Sequence, residues 1–243
     1  MNIIKLDAID STNTFLKKLS VESTLEDYTI VIARNQTSGR GQMGTVWSSE
    51  AGKNLTFSIY TRVSHVKKDE QFYISIVISL AILKALKSMG IPDLKVKWPN
   101  DILSANYKIC GILIENIIKG NQLYASVIGI GLNVNQSSFE GLPNASSMKL
   151  ITGNYYNHEE IVHQIVYYLK KYETVINKRD FKALLNEYES QLFRKDKPST
   201  FKGKDENIFM GFIKGVSTSG KLRVLLEDEI EKEFDLKEVS LLH

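Results

Sequence analysis

A single cysteine, Cys110, stands among 243 residues. One thiol can neither close an intramolecular disulfide nor furnish a four-cysteine zinc site, so a disulfide-stapled secreted scaffold is excluded and a reducing cytoplasm fits best. Low-complexity linkers and internal repeats are also missing, so domain boundaries must be read from changes of periodicity. Charge of one sign is scarce: 31 Lys and Arg face 28 Asp and Glu, a net +3 spread along the chain, which gives no basic tail for DNA or RNA. The opening MNIIKLDAIDSTN has no basic segment followed by an apolar one, so no signal peptide is read. The longest apolar run, residues 71–86, is broken by Gln71, Ser75, Ser79 and Lys84. It falls short of the ~20 apolar residues a bilayer span needs and reads as a buried helix, so no membrane partner is expected.

What is present is an ordinary globular composition, 43% apolar, at a length suited to one large domain or one large and one small. Ile3, Ile4 and Leu6 predict a strand. Asp10 to Asn13 form a cap-rich turn, with Asp10 or Ser11 able to cap a helix that carries Phe15, Leu16 and Leu19. Thr29 to Ala33 and Leu55 to Tyr60 are β-branched or aromatic runs. The polar, glycine-bearing loop between them, about twenty residues long, is of a length usually reserved for function or disorder. A helix is predicted over 69–88, with Asp69 and Glu70 in its first turn and Gly90 and Pro92 beyond its end. Lys95 to Trp98 starts a strand, and Lys108 to Ile118 and Leu123 to Leu132 form a hairpin through Lys119-Gly120-Asn121. Helical spacing returns at Ile161 to Ile176 and at Phe181 to Leu192. Short strands follow at Phe209 to Val216, Leu222 to Leu226 and Glu233 to Leu236. The pattern predicts an α+β fold: a central mixed or antiparallel sheet with packed helices over residues 1–190, and a small β-barrel over 191–243.

Gly39-Arg40-Gly41-Gln42-Met43-Gly44 matches the dinucleotide fingerprint GxGxxG and follows a strand. The context fails: Thr45 to Ser49 lead into another strand instead of a helix, and no acid stands between Tyr60 and Lys68. No Walker A sequence occurs either. The loop nevertheless offers glycines for close backbone approach, N–H groups for an anion, and the Arg40 guanidinium for a carboxylate or phosphate. Trp47 at its far end is either a core anchor or a stacking face for a ring. Three further stretches stand out: KWPND (Lys97 to Asp101), Lys108 with Gly111 ahead of Glu115, and GIGLNVN (Gly129 to Asn135). Each has a plain reading by itself, namely a strand ending in a proline turn, a solvated lysine, and a glycine-weakened strand approached closely by another segment.

Taken together and in this order, DSTN (Asp10 to Asn13), TSGRGQMGTVWSS (Thr37 to Ser49), KWPND, KxxGILxE (Lys108 to Glu115) and GIGLNVN resemble the biotin protein ligases. The resemblance covers most of the chain. It implies a class II synthetase-like biotin/lipoate ligase fold with an SH3-like C-terminal β-barrel. It also implies ATP and biotin as substrates, Mg²⁺ on the triphosphate, and a biotin carboxyl carrier domain of a carboxylase as partner. Ser11, Thr12 and Gln36 would hydrogen-bond the ureido ring of biotin with Asn13 beside them, since a buried urea needs partners. Gly39, Arg40, Gly41 and Gln42 would fold over the biotin carboxylate and the adenylate phosphate, with Gly111 and Leu113 completing the biotin site. Trp47 would cover adenine, and Asn133 would help bind the nucleotide. Lys108 would carry most of the chemistry, as a fixed ammonium between two anions. Asp101, with Asn100, would meet the metal or orient the acceptor lysine.

Gln42 and Thr45 stand where many such ligases have arginine, which predicts a somewhat faster-leaking adenylate. Cys110 replaces a small residue and is assigned no chemistry. With DSTN starting at residue 10, no operator-binding domain is expected ahead of it, hence no DNA partner. A homodimer through a sheet edge is compatible by analogy. The binding loop is expected to be mobile when empty. The competing readings are a lipoate ligase or octanoyltransferase, whose RRxSGGGxVxHD-like signature is missing, and a non-catalytic binding module, which would have no need of Lys108.

Overall fold

The computed structural model describes residues 1–242. Its first sheet has seven strands: β1 (Asn2–Ile9), β2 (Thr29–Gln36), β3 (Leu55–Arg62), β4 (Leu94–Lys97), β5 (Asp101–Ser104), β6 (Tyr107–Lys119) and β7 (Gln122–Leu132). Their order is β1-β2-β3-β7-β6-β5-β4. Only β1 and β2 run parallel, across the crossover helix α1 (Thr12–Glu22); the remaining neighbours are antiparallel. The sheet is therefore mixed, as expected. Gly120 and Asn121, both at positive φ (55° and 66°), make the tight β6–β7 turn, whose twist matches that of its strands.

Strand alternation sends Ile112, Ile128, Ile130 and Leu132 to one face. There they meet the apolar helix α2 (Phe72–Ser88), with α4 (His158–Asn177) and α5 (Phe181–Ser190) behind it. By length and composition, Lys68–Ser88 suffices to cross a membrane, but most of this segment is packed inside the fold. α4 shows an apolar stripe from Ile161 to Ile176 and is capped by Asn157, whose side chain accepts from Glu159 N and Glu160 N. The opposite face is covered by α1 over one half only, through Leu16 against Val31, Tyr60, Ala125 and Val127. The other half of that face is left open to a ligand.

A second, five-stranded antiparallel sheet follows: β8 (Pro198–Gly203), β9 (Ile208–Val216), β10 (Leu222–Leu226), β11 (Glu231–Phe234) and β12 (Val239–Leu242), ordered β11-β10-β9-β8-β12. Four elements have no counterpart in the periodicity: β5, β8, β12 and the short helix α3 (Met148–Thr152). Each has six residues or fewer, too few for a repeat of apolar positions. The predicted helix start at 69 moves to 72 because Lys68–Glu70 form a separate 3-10 turn. The last predicted strand, Glu233 to Leu236, is instead Glu231–Phe234.

Candidate active site

On the uncovered face, the register aligns Ser58, Gly129 and Leu113 in one row across β3, β7 and β6, and Thr56, Gly131 and Gly111 in the next. Three glycines in adjoining rows leave a flat backbone floor. Two side chains rest on it so closely that no Cβ would fit. A Cβ on Gly129 would lie 2.5 Å from Asn13 Oδ1, and one on Gly131 would lie 2.3 Å from Cε2 of Trp47. The close approach anticipated for GIGLNVN is thus made by α1 and by the glycine loop.

The loop folds back over this floor as a small hairpin: Trp47 N donates to Gly39 O at 3.0 Å and Gly41 N to Thr45 O at 2.7 Å. Beneath it is a cavity of about 290 Å³ whose wall includes Ser11, Thr12, Asn13, Gln36, Arg40 and Lys108. Its α1 end is a buried polar cluster. Gln36 Oε1 accepts from Thr12 N at 2.8 Å and from Thr12 Oγ1 at 3.0 Å, while Ser58 Oγ donates to Asn13 Oδ1 at 2.5 Å. Ser11 is the N-cap of α1, accepting from Thr14 N, and it also lines the cavity.

At the other end Lys108 Nζ pairs with Asp101 Oδ1 at 2.8 Å. That oxygen is fully buried, and the ammonium does not approach it along a hydrogen-bonding direction. Lys108 also stands 5.8 Å from the centroid of the Trp47 ring. Beyond Trp47 a second cavity of about 350 Å³ opens, sharing Val46, Trp47, Asp101 and Lys108 with the first and adding Lys97, Asn133 and the 139–145 segment. Trp47, Asp101 and Lys108 therefore form a party wall between two chambers.

Arg40, Gly41, Gln42, Asn100, Gly111 and Leu113 all line the first chamber, whereas Gly39, paired with Trp47 within the hairpin, is buried and lines neither chamber. Asn133 lines only the second chamber, and its amide donates to Ser146 O at 3.0 Å. Asn100 is pinned to β6: its side-chain amide donates to Ile112 O at 2.8 Å and its main-chain carbonyl accepts from Ile112 N at 2.9 Å. Its side chain serves to fix the KWPND turn, which contains a cis Trp98–Pro99 bond.

Glu115, the last residue of the KxxGILxE stretch, has no role that its position in the sequence discloses. It gathers three partners: Lys17 at 2.9 Å, Asn13 Nδ2 at 2.9 Å and Arg40 at 2.8 Å. Burial pushes its carboxyl up, but Lys17, Asn13 and Arg40 together outweigh that and hold it below the usual range. Ser58, fully buried beneath α1 with its hydroxyl against Thr12 and Asn13, is a further residue of the polar cluster; its signal in the sequence is a serine between Phe57 and Ile59 in β3. Lys97 is a third overlooked residue. Burial lowers its proton affinity, with Asp101 opposing and Lys108 adding to the effect. Cys110 faces the α2 side, fully buried, and burial pushes its thiol up, away from the nucleophilic thiolate.

The model of the biotin/lipoate A/B protein ligase family matches residues 6–133, the span that builds the floor, the hairpin and the Lys108–Asp101 pair. Among curated proteins, the chain is 28% identical over 244 residues to the bifunctional ligase/repressor BirA of Salmonella typhimurium, covering 99% of this chain and 74% of that protein. It is 33% identical over 141 residues to the biotin--[acetyl-CoA-carboxylase] ligase of Mycobacterium tuberculosis, covering 57% of this chain and about half, 51%, of that one. Among solved structures, the biotin protein ligase of Aquifex aeolicus in complex with biotin and ATP superposes with a TM-score of 0.81 at 27% identity, covering 99% and 98% of the two chains. The chain belongs to the biotin/lipoate A/B protein ligase family.

Proposed function

We propose that the chain is an ATP-dependent biotin ligase that works through its two joined chambers. Biotin and ATP react to give biotinyl-5′-adenylate and pyrophosphate, and the biotinyl group then passes to a lysine of a biotin carrier domain. The observation that carries this reading is the party wall. Two substrates must meet at one bond, and Lys108 with Asp101 is the charged group common to both chambers.

In this reading the ureido ring of biotin takes the polar end at Ser11, Thr12, Asn13 and Gln36, which would otherwise strand a buried urea without partners. The adenosine side occupies the chamber of Asn133 and Lys97, with Trp47 covering the base. A carboxylate oxygen of biotin attacks the α-phosphorus and pyrophosphate leaves. Two anions approach one another in that step, and the Lys108 ammonium between them stabilises the charge of the transition state. Arg40 and the N–H group of Gln42 hold the phosphate from the hairpin side, while the N–H of Gly41 stays committed to Thr45 O. The acceptor amine then attacks the acyl carbon, AMP leaves, and the nitrogen loses its proton. Mg²⁺ would come with the triphosphate and shield its charge. Among the described residues no group of three or more His, Cys, Asp or Glu could hold a metal, which suits an ion borne mainly by phosphates with Asp101 as its one carboxylate.

A carboxylase is the proposed source of the carrier domain, a homodimer would use the edge strand β1, and the cytoplasm is the proposed location. Incubation with ATP and either biotin or lipoate, reading label on a carrier domain, tests the assignment. Transfer of biotin alone supports it, and preferential transfer of lipoate overturns it.

A further inference from the structure

A third cleft adjoins the first chamber. Its volume is about 370 Å³, and it shares Gln42, Asn100 and Ile112 with the first chamber. One wall is Ser75 and Ser79 of α2 with Asn116 of β6; the other is the β9–β10 turn, through Ser219 and Lys221. Both sheets thus build it. Its wall carries one cation, Lys221, and one anion, Asp235, and is otherwise neutral, with amides and hydroxyls interspersed among apolar side chains. Ser79 is 1% exposed, and its hydroxyl has no hydrogen-bond partner, an unpaired group that a ligand could satisfy.

We infer that this cleft receives the main chain of the acceptor protein on either side of its target lysine. The inference rests on the ligase reading above. A two-step acyl transfer brings three bodies to one carbon, and the two chambers joined at the Lys108–Asp101 wall accommodate two of them. The acceptor amine needs its own approach, and this cleft meets the first chamber at Gln42 and Asn100, the residue next to Asp101. A neutral surface of amides and hydroxyls suits an extended backbone, which presents N–H and C=O groups without charge. The second sheet thereby acquires a part in the reaction, as one wall of the acceptor's path.

Two variants narrow the cleft without touching the chambers: Ser75→Leu, which keeps a good helix former on α2, and Ser219→Trp on an exposed turn. Pyrophosphate exchange reports adenylate formation, trapping by hydroxylamine reports reaction with a small nucleophile, and labelling of a carrier domain reports transfer. The expected result is exchange and trapping within about twofold of wild type, with kcat/KM for the carrier down by at least about tenfold, mostly in KM. Normal carrier labelling in both variants overturns the inference. So does an equal fall in all three readouts, because the cleft then has no special bearing on the carrier. Failure of the ligase reading is distinct: the wild-type chain itself would give no biotin-dependent exchange.

Discussion

Lys108 meets Asp101 from the one position where both chambers can reach it. Lys108→Ala is expected to slow adenylate formation by about 10²- to 10³-fold, the usual cost of removing one donor aimed at developing charge, with a smaller change in KM for biotin. Stopped-flow quantification of adenylate checks this, and a wild-type rate would remove Lys108 from the chemistry. Glu115 makes a second prediction. Its carboxyl is held below its ordinary pKa, so the stability it contributes is present above the unfolded value and is lost as pH falls through the folded one. Glu115→Gln should mimic the acid state, freeing Arg40 and releasing adenylate faster, with the wild-type and variant off-rates converging as pH falls through the lowered pKa of the folded state. Off-rates that differ by the same factor at every pH would exclude the ionic role. Lys17 and Arg40 are half exposed, so the associated loss of stability should be only about 1 kcal/mol. Lys108 and Gly131 were legible in the sequence because they lie inside motifs. The part played by Glu115 was not, because its charged partners lie 98 and 75 residues away and only the crossover α1 and the returning hairpin bring them in.

The glycine hairpin works as an element because the strands beneath it give up side chains. Gly131→Ala puts a methyl group 2.3 Å from the indole of Trp47, and the ring must lift while β7 keeps its ladder. Nucleotide affinity is expected to fall by at least about tenfold, with little change in melting temperature, since an alanine inside a strand costs less backbone entropy than glycine does. Calorimetric titration with ATP against a thermal scan separates the two effects; equal loss in both would mean that the floor is structural only. The same hairpin is expected to gain amide protection when biotin and ATP are added together, as a binding loop ordered by its ligands does. Hydrogen exchange of 37–49 measures it. At this scale the long strands and amphipathic helices were readable from periods of two and 3.6. β5 was hidden because a four-residue strand beginning inside KWPND looks like the continuation of a proline turn.

Across the whole molecule, the second sheet is tied to the KWPND turn and to α5 of the first unit of the fold. Trp98 of the KWPND turn donates its indole N–H to Gly220 O at 2.9 Å, and Val216 N donates to Glu189 Oε1 at 2.9 Å. Nothing in the sequence pairs these residues, since Trp98 and Gly220 lie 122 positions apart. Gly220 has φ +90°, and a Cβ there would sit 2.4 Å from the Phe72 ring, so two separate penalties oppose any larger residue. The left-handed conformation alone costs a side chain roughly 1–2 kcal/mol, and displacement of a packed ring adds to it. Gly220→Ala should therefore lower stability by about 2–4 kcal/mol, or roughly 5–15 °C at this chain length. Trp98→Phe removes the hydrogen bond while keeping most of the ring, and should cost about 1 kcal/mol. Both changes act on the turn that carries Asp101. If the second sheet steadies that turn, both variants should also slow carrier labelling at temperatures well below their melting points. If melting falls while labelling at 20 °C is unchanged, the sheets share a core but not a catalytic dependence.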